Sequence, residues 1–165
     1  MNQSSPILWF RFERRLALGL VGWLAACFLA ASLGAVFMPG DWYAMLKKPS
    51  WNPPAWVFGP VWTTLYAMMA VAAWLVWKRG FAARRGPLAL FLAQLVLNAA
   101  WTPLFFGLHQ PGFACAEIAS LWLAIAVTLA TFRPLSRAAA WLLAPYLAWV
   151  SFAAALNFAL WRLNS

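Results

Sequence analysis

Five long apolar stretches, Leu16 to Met38, Ala55 to Trp77, Pro87 to Leu108, Gly112 to Phe132 and Ala138 to Trp161, occupy most of this chain. Each holds about the twenty residues that an α-helix needs to cross the hydrocarbon of a bilayer. Glu117 is the only charged residue inside any of them. A barrel reading fails because the stretches lack the apolar-polar alternation, over segments of about ten residues, of membrane strands. With 65% hydrophobic and 9% charged residues, too little polar side chain remains to cover a water-exposed surface. The expected fold class is an all-α membrane protein, a bundle of five transmembrane helices. Residues 1–15 are expected to form a cytoplasmic N-terminal segment and residues 16–165 the five-helix domain, with no separate soluble domain.

The basic residues orient the bundle. Arg11, Arg14, Arg15, Lys78, Arg79, Arg84, Arg85, Arg133 and Arg137 fall on the side of the N-terminus, whereas Lys47, Lys48 and Arg162 fall on the other. The Lys/Arg bias of cytoplasmic loops places the first group inside. The first loop and the C-terminus are then expected outside, in a bacterial inner membrane. The first apolar stretch follows arginines as a secretion signal would, but it is too long for a signal core, so a retained helix is expected. The formal charge of +9 does not indicate nucleic-acid binding. Its charges stand beside span ends without forming one aromatic-interleaved patch, and contact with anionic lipid accounts for them.

Helix packing is also legible. Gly22, Ala26, Ala30 and Gly34, then Ala116, Ser120, Ala124 and Thr128, then Ala140, Ala144 and Ala148 repeat small residues at every fourth position. Such seams let backbones approach closely in a membrane. Pro60, Pro103 and Pro145 are expected to kink their helices, with neighbours satisfying the freed backbone groups. Cys27 and Cys115 lie inside spans and read as packing residues. His109, the only histidine, has no evident metal partner, and neither a catalytic pair nor a metal site is expected.

Two helical faces carry polar groups to membrane depth. Gln94, Asn98, Trp101, Thr102 and Phe105 share one face of the third span; Tyr146, Trp149, Ala153 and Asn157 share one face of the fifth. One reading gives the amides interhelical hydrogen bonds of about 1 kcal/mol each. The other makes them the few polar contacts of an apolar, aromatic pocket. Thirteen tryptophans in 165 residues favour an aromatic wall for a flat ligand, a belt at the bilayer surface, or both. The first loop, with Trp51 and Trp56, would roof a cavity between the two faces. Glu117 is expected to be capped by its helix N-terminus or paired with Lys47, Lys48 or His109, with proton relay as the alternative.

The ordered motifs resemble the TspO/MBR family, the translocator or tryptophan-rich sensory proteins, over about Leu16 to Asn164. They are Lys48-Pro49-Ser50-Trp51-Asn52-Pro53-Pro54-Ala55-Trp56-Val57-Phe58 with Trp62-Thr63-Thr64-Leu65-Tyr66, then Gln94 to Gly107, then Pro145-Tyr146-Leu147-Ala148-Trp149-Val150 with Leu156-Asn157. The resemblance implies a homodimer of five-helix bundles that binds porphyrins, protoporphyrin IX or haem, and other apolar small molecules, and requires no cofactor. It implies a pocket of Trp51, Trp56, Trp62, Asn98, Trp101, Phe105 and Trp149 with the small Ala153 facing the ligand. Asn52 and Tyr146, within the same motifs, complete the candidate set. Phe158 stands where the family's sterol motif needs a tyrosine, so sterol binding is not expected. The expected role is to sense, sequester or translocate porphyrin without being an enzyme. Light-dependent porphyrin degradation and service as a small transporter or accessory subunit are the alternatives.

Overall fold

The computed structural model describes the backbone of residues 6–37 and 39–165, and side chains from residue 13 onward. Residues 1–5 of the expected N-terminal segment, the Arg11 side chain, and Met38 at the end of the first apolar stretch lie outside the described residues. The long helices are α1 (Pro6–Ala35), α3 (Ala55–Trp77), α4 (Phe81–Thr102), α5 (Pro111–Phe132) and α6 (Arg137–Asn164). A short α2 (Asp41–Met45) lies in the first loop, and a five-residue π-helical segment, Pro103–Gly107, continues α4. Each of the five long elements contains a stretch long and apolar enough to cross a membrane.

The helices overrun the apolar stretches where polar residues can reach out of the hydrocarbon. α1 begins at Pro6, and α4 begins at Phe81, taking in Arg84 and Arg85 ahead of Pro87. Long basic side chains extend to the interface while their stems stay against the helix, so nothing obliges the helix to stop where hydropathy falls. Ser136 caps α6, its hydroxyl accepting from the Ala139 N–H at 3.2 Å. Pro111 opens α5 at a position where no intrahelical N–H is needed.

Only one of the three expected proline distortions interrupts regular α-helix. Pro60 and Pro145 lie inside α3 and α6, which continue through them. At Pro103 the backbone widens: the Leu108 N–H donates to the Pro103 carbonyl at 2.8 Å and the Gln110 N–H to the Leu104 carbonyl at 3.2 Å. Such π turns are frequent at functional sites.

Round the bundle the order is α1, α3, α6, α5, α4 and back to α1. At the end where α3 finishes, the ring is filled solidly. Met69, Val76, Phe91, Phe132 and Leu143 are buried there, Phe91 stacking on Phe132 at 6.0 Å and meeting Trp23 edge-on at 5.7 Å. The small-residue seams serve these contacts only in part. Ala30 and Thr128 are buried, and Gly34 lies against Thr102, but no described residue approaches Gly22, and Ala116, Ser120 and Ala148 face outward. Four residues of a helix turn about 400°, so a strict four-residue row drifts some 40° per step off any straight interface.

Candidate functional site

At the other end the ring is hollow. A cavity of about 1000 Å³ opens between α1, α3, α4, α5 and α6 beneath the first loop. Eight of the ten expected residues line it: Asn52, Trp56, Trp62, Asn98, Trp101, Phe105, Trp149 and Ala153. The other two do not. Trp51 is half exposed and packs edge-on against Phe152 at 5.8 Å. Tyr146 is completely buried behind the wall, where it supports Asn98.

The wall is rigid because its rings brace one another. Trp101 stacks on Phe105 at 5.0 Å, Phe58 meets Trp149 at 5.8 Å, and Trp62 leans on Tyr66 at 5.5 Å. Such pairs hold aromatic faces in offset or edge-on arrangements. Gly34 and Ala153 are small where they meet the hollow, which keeps it open.

The lid is ordered by hydrogen bonds. The Lys47 N–H donates to Asn164 Oδ1 at 2.9 Å and Asn164 Nδ2 donates to the Lys47 carbonyl at 3.0 Å, clamping the loop to the end of α6. Trp42 in α2 stacks on His109 at 4.3 Å and meets Phe105 at 5.7 Å. The Tyr43 hydroxyl donates to Asn52 Oδ1 at 3.2 Å, and Asn52 Nδ2 donates to the Pro53 carbonyl at 3.1 Å. Burial pushes the Tyr43 phenol above its ordinary value, opposed by the hydrogen bond to Asn52. Among the described residues, Lys48 is the only charged one on the cavity wall. Its ammonium donates to the Ala44 and Leu46 carbonyls at 3.0 and 3.2 Å and lies 4.7 Å from the centre of the Tyr43 ring.

The amides at membrane depth divide their duties. The Tyr66 hydroxyl donates to Asn98 Oδ1 at 2.5 Å, Asn98 Nδ2 donates to the Tyr146 hydroxyl at 3.0 Å, and that hydroxyl donates to Gln94 Oε1 at 3.0 Å. This relay runs from the cavity wall into the core and fixes Asn98 across α3, α4 and α6. Asn157 accepts from Trp101 Nε1 at 2.9 Å and donates to the Pro111 carbonyl at 2.8 Å. Both ends of its amide are engaged by protein, so it works as a brace for Trp101 and for the start of α5. Both readings of the polar faces therefore apply: Gln94 makes an interhelical bond, while Asn98 and Asn157 both bond between helices and border the cavity. Trp149 Nε1 and Gln94 Nε2 are buried without a partner among the described residues.

Glu117 departs from its expectation. Both carboxylate oxygens are buried and have no hydrogen-bond partner among the described residues. Lys48 is engaged by carbonyls, and His109 is stacked on Trp42. The lid is held by its own bonds, which keeps these groups away from the buried carboxylate. Tyr43, Lys48 and Tyr66 also line the wall, outside the polar faces of α4 and α6. The motif spacing held the signal for Tyr66, which lies four residues from Trp62 on one face of α3.

The sequence model of the TspO/MBR family matches residues 19–162. The chain is 45% identical over 150 residues to the translocator protein of Homo sapiens, covering 87% of this chain and 89% of that protein. It is 43% identical over 141 residues to the tryptophan-rich sensory protein of Cereibacter sphaeroides, covering 86% and 88%. To protein CrtK of Rhodobacter capsulatus it is 40% identical over 146 residues, covering 86% and 90%.

Proposed function

The chain belongs to the TspO/MBR family and is an integral, multi-pass membrane protein, and from that premise we propose that its cavity binds a porphyrin, protoporphyrin IX or haem, in order to sense, sequester or translocate it. The observation that carries this reading is the cavity itself, about 1000 Å³, walled by Trp56, Trp62, Trp101 and Trp149, with Lys48 the one charge among its described residues. A large flat macrocycle gains from stacking on indole faces. Burial of apolar area at roughly 25 cal/mol per Å² supports micromolar binding with no covalent link. Carboxylates on the macrocycle's edge would meet the Lys48 ammonium under the lid. Titrating the purified protein with protoporphyrin IX tests the reading. Saturable quenching of tryptophan fluorescence is expected at micromolar ligand, and unchanged emission at tens of micromolar would count decisively against it.

The relatives are named as translocator or sensory proteins, which favours a binding role. The four indoles on the wall also support a second reading, light-dependent degradation, in which a wall tryptophan donates an electron to the excited macrocycle. Illuminating the complex separates the two. A binder keeps its absorption spectrum, whereas a degrading protein bleaches it at a rate that falls in Trp149→Phe. A homodimer in a bacterial inner membrane, with the N-terminus in the cytoplasm and the lid outside, completes the proposal. It rests on the family resemblance for the dimer and on the basic bias for the orientation.

A further inference from the structure

The solid end of the bundle carries a second concave feature, a groove of about 440 Å³ lined by Arg14, Arg15, Leu18, Gly19 and Trp77. We propose that this groove, between α1 and the end of α3, binds the phosphate headgroup of an anionic phospholipid.

The groove has a built frame. Trp74 Nε1 donates to the Leu16 carbonyl at 2.9 Å, tying α3 to α1. A Cβ at residue 19 would run into the Trp77 ring, so Gly19 lets that indole lie against the α1 backbone. The Arg15 and Arg84 guanidinium carbons stand 5.8 and 5.3 Å from the centre of the same Trp77 ring. Arg84 is also held by the Trp77 carbonyl at the end of α3. Two guanidiniums thus converge on one indole, and Arg14 adds a third charge to the rim.

That charge lacks an acidic counterpart. The chain has three acidic residues, of which Asp41 and Glu117 belong to the opposite half of the molecule and Glu13 alone is near. Among the described residues none of these arginines is paired with a carboxylate. An anion entering the rim would relieve their mutual repulsion, and planar guanidiniums match phosphate oxygens in geometry. The floor decides which anion. Leu18 is 62% exposed and begins an apolar outer face that continues through Val21 and Leu29. A headgroup at the arginines would lay its acyl chain along these residues, an arrangement that a free anion cannot exploit. Basic pockets between transmembrane helices bind anionic lipid in this way.

Native mass spectrometry of the full-length protein in detergent, with added phosphatidylglycerol or phosphatidylcholine, tests the proposal. The unmodified protein should retain phosphatidylglycerol in preference to phosphatidylcholine. The double variant Arg14→Gln/Arg15→Gln should weaken phosphatidylglycerol retention by about ten- to thirtyfold, from roughly one surface charge interaction per arginine, and leave phosphatidylcholine unaffected. Arg14→Lys/Arg15→Lys should keep most of the retention, and both variants should keep the parent's helical circular dichroism. Equal retention of the two lipids, or phosphatidylglycerol retention that survives the glutamine pair, would overturn the site. Displacement of phosphatidylglycerol by millimolar inorganic phosphate would assign the groove to a free anion and overturn the lipid.

Discussion

Asn157 provides the sharpest test of how the wall is held. Replacing it with the near-isosteric leucine removes the acceptor of Trp101 Nε1 and the donor to the Pro111 carbonyl, bonds of 2.9 and 2.8 Å. Side-chain hydrogen bonds between membrane helices contribute about 0.6 to 1.7 kcal/mol each, so the two together predict a loss of about 1 to 3 kcal/mol. Unfolding in mixed micelles by increasing sodium dodecyl sulfate measures that loss. The effect on ligand is expected to be mainly indirect, because both ends of the amide, although it borders the cavity, are already engaged by protein. Loosening Trp101 disturbs its stacking on Phe105 at 5.0 Å, so the affinity for protoporphyrin IX should fall in Asn157→Leu. In a Trp101→Phe background, where the indole N–H is already gone, Asn157→Leu should lower affinity no further. A double-mutant cycle read by fluorescence titration therefore shows strong non-additivity. If the two substitutions add in full, Asn157 acts on the ligand and the bracing role is wrong.

Ala153→Phe should fill part of the hollow and reduce porphyrin affinity roughly tenfold or more while changing stability by less than about 1 kcal/mol, since the ring enters open space; unchanged quenching would place the ligand elsewhere. Lys48→Met should weaken binding of protoporphyrin IX about three- to tenfold but leave its dimethyl ester unaffected; equal losses for both would remove the lysine-carboxylate contact. Glu117→Gln should raise stability in detergent by about 1 kcal/mol or more, because the native carboxylate is buried with no partner among the described residues; a loss of that size would reveal a partner for the acid.

The five apolar helices and their approximate limits were determined by the chain alone, because backbone groups within hydrocarbon must bond inside a helix or a closed barrel. The aromatic and amide faces of α4 and α6 were legible for a related reason. Helical spacing of three and four puts Asn98 beside Trp101, and Trp149 beside Ala153, whatever the helices later meet. Which of those residues touch the hollow depended on the tertiary structure. Tyr146 and Trp149 are three apart in α6, yet one is sealed in the core and the other is on the wall. Their difference is a matter of how α6 turns against α3 and α5. Asn157 likewise became a brace only when α4 brought Trp101, and α5 brought Pro111, to its two ends. The clamp between Lys47 and Asn164 joins residues 117 positions apart, and Glu117 lost its expected partners because that clamp and the lid's own carbonyls hold the loop elsewhere. Periodicity along one helix cannot encode such contacts, since they arise from the rotation and depth at which separate helices pack.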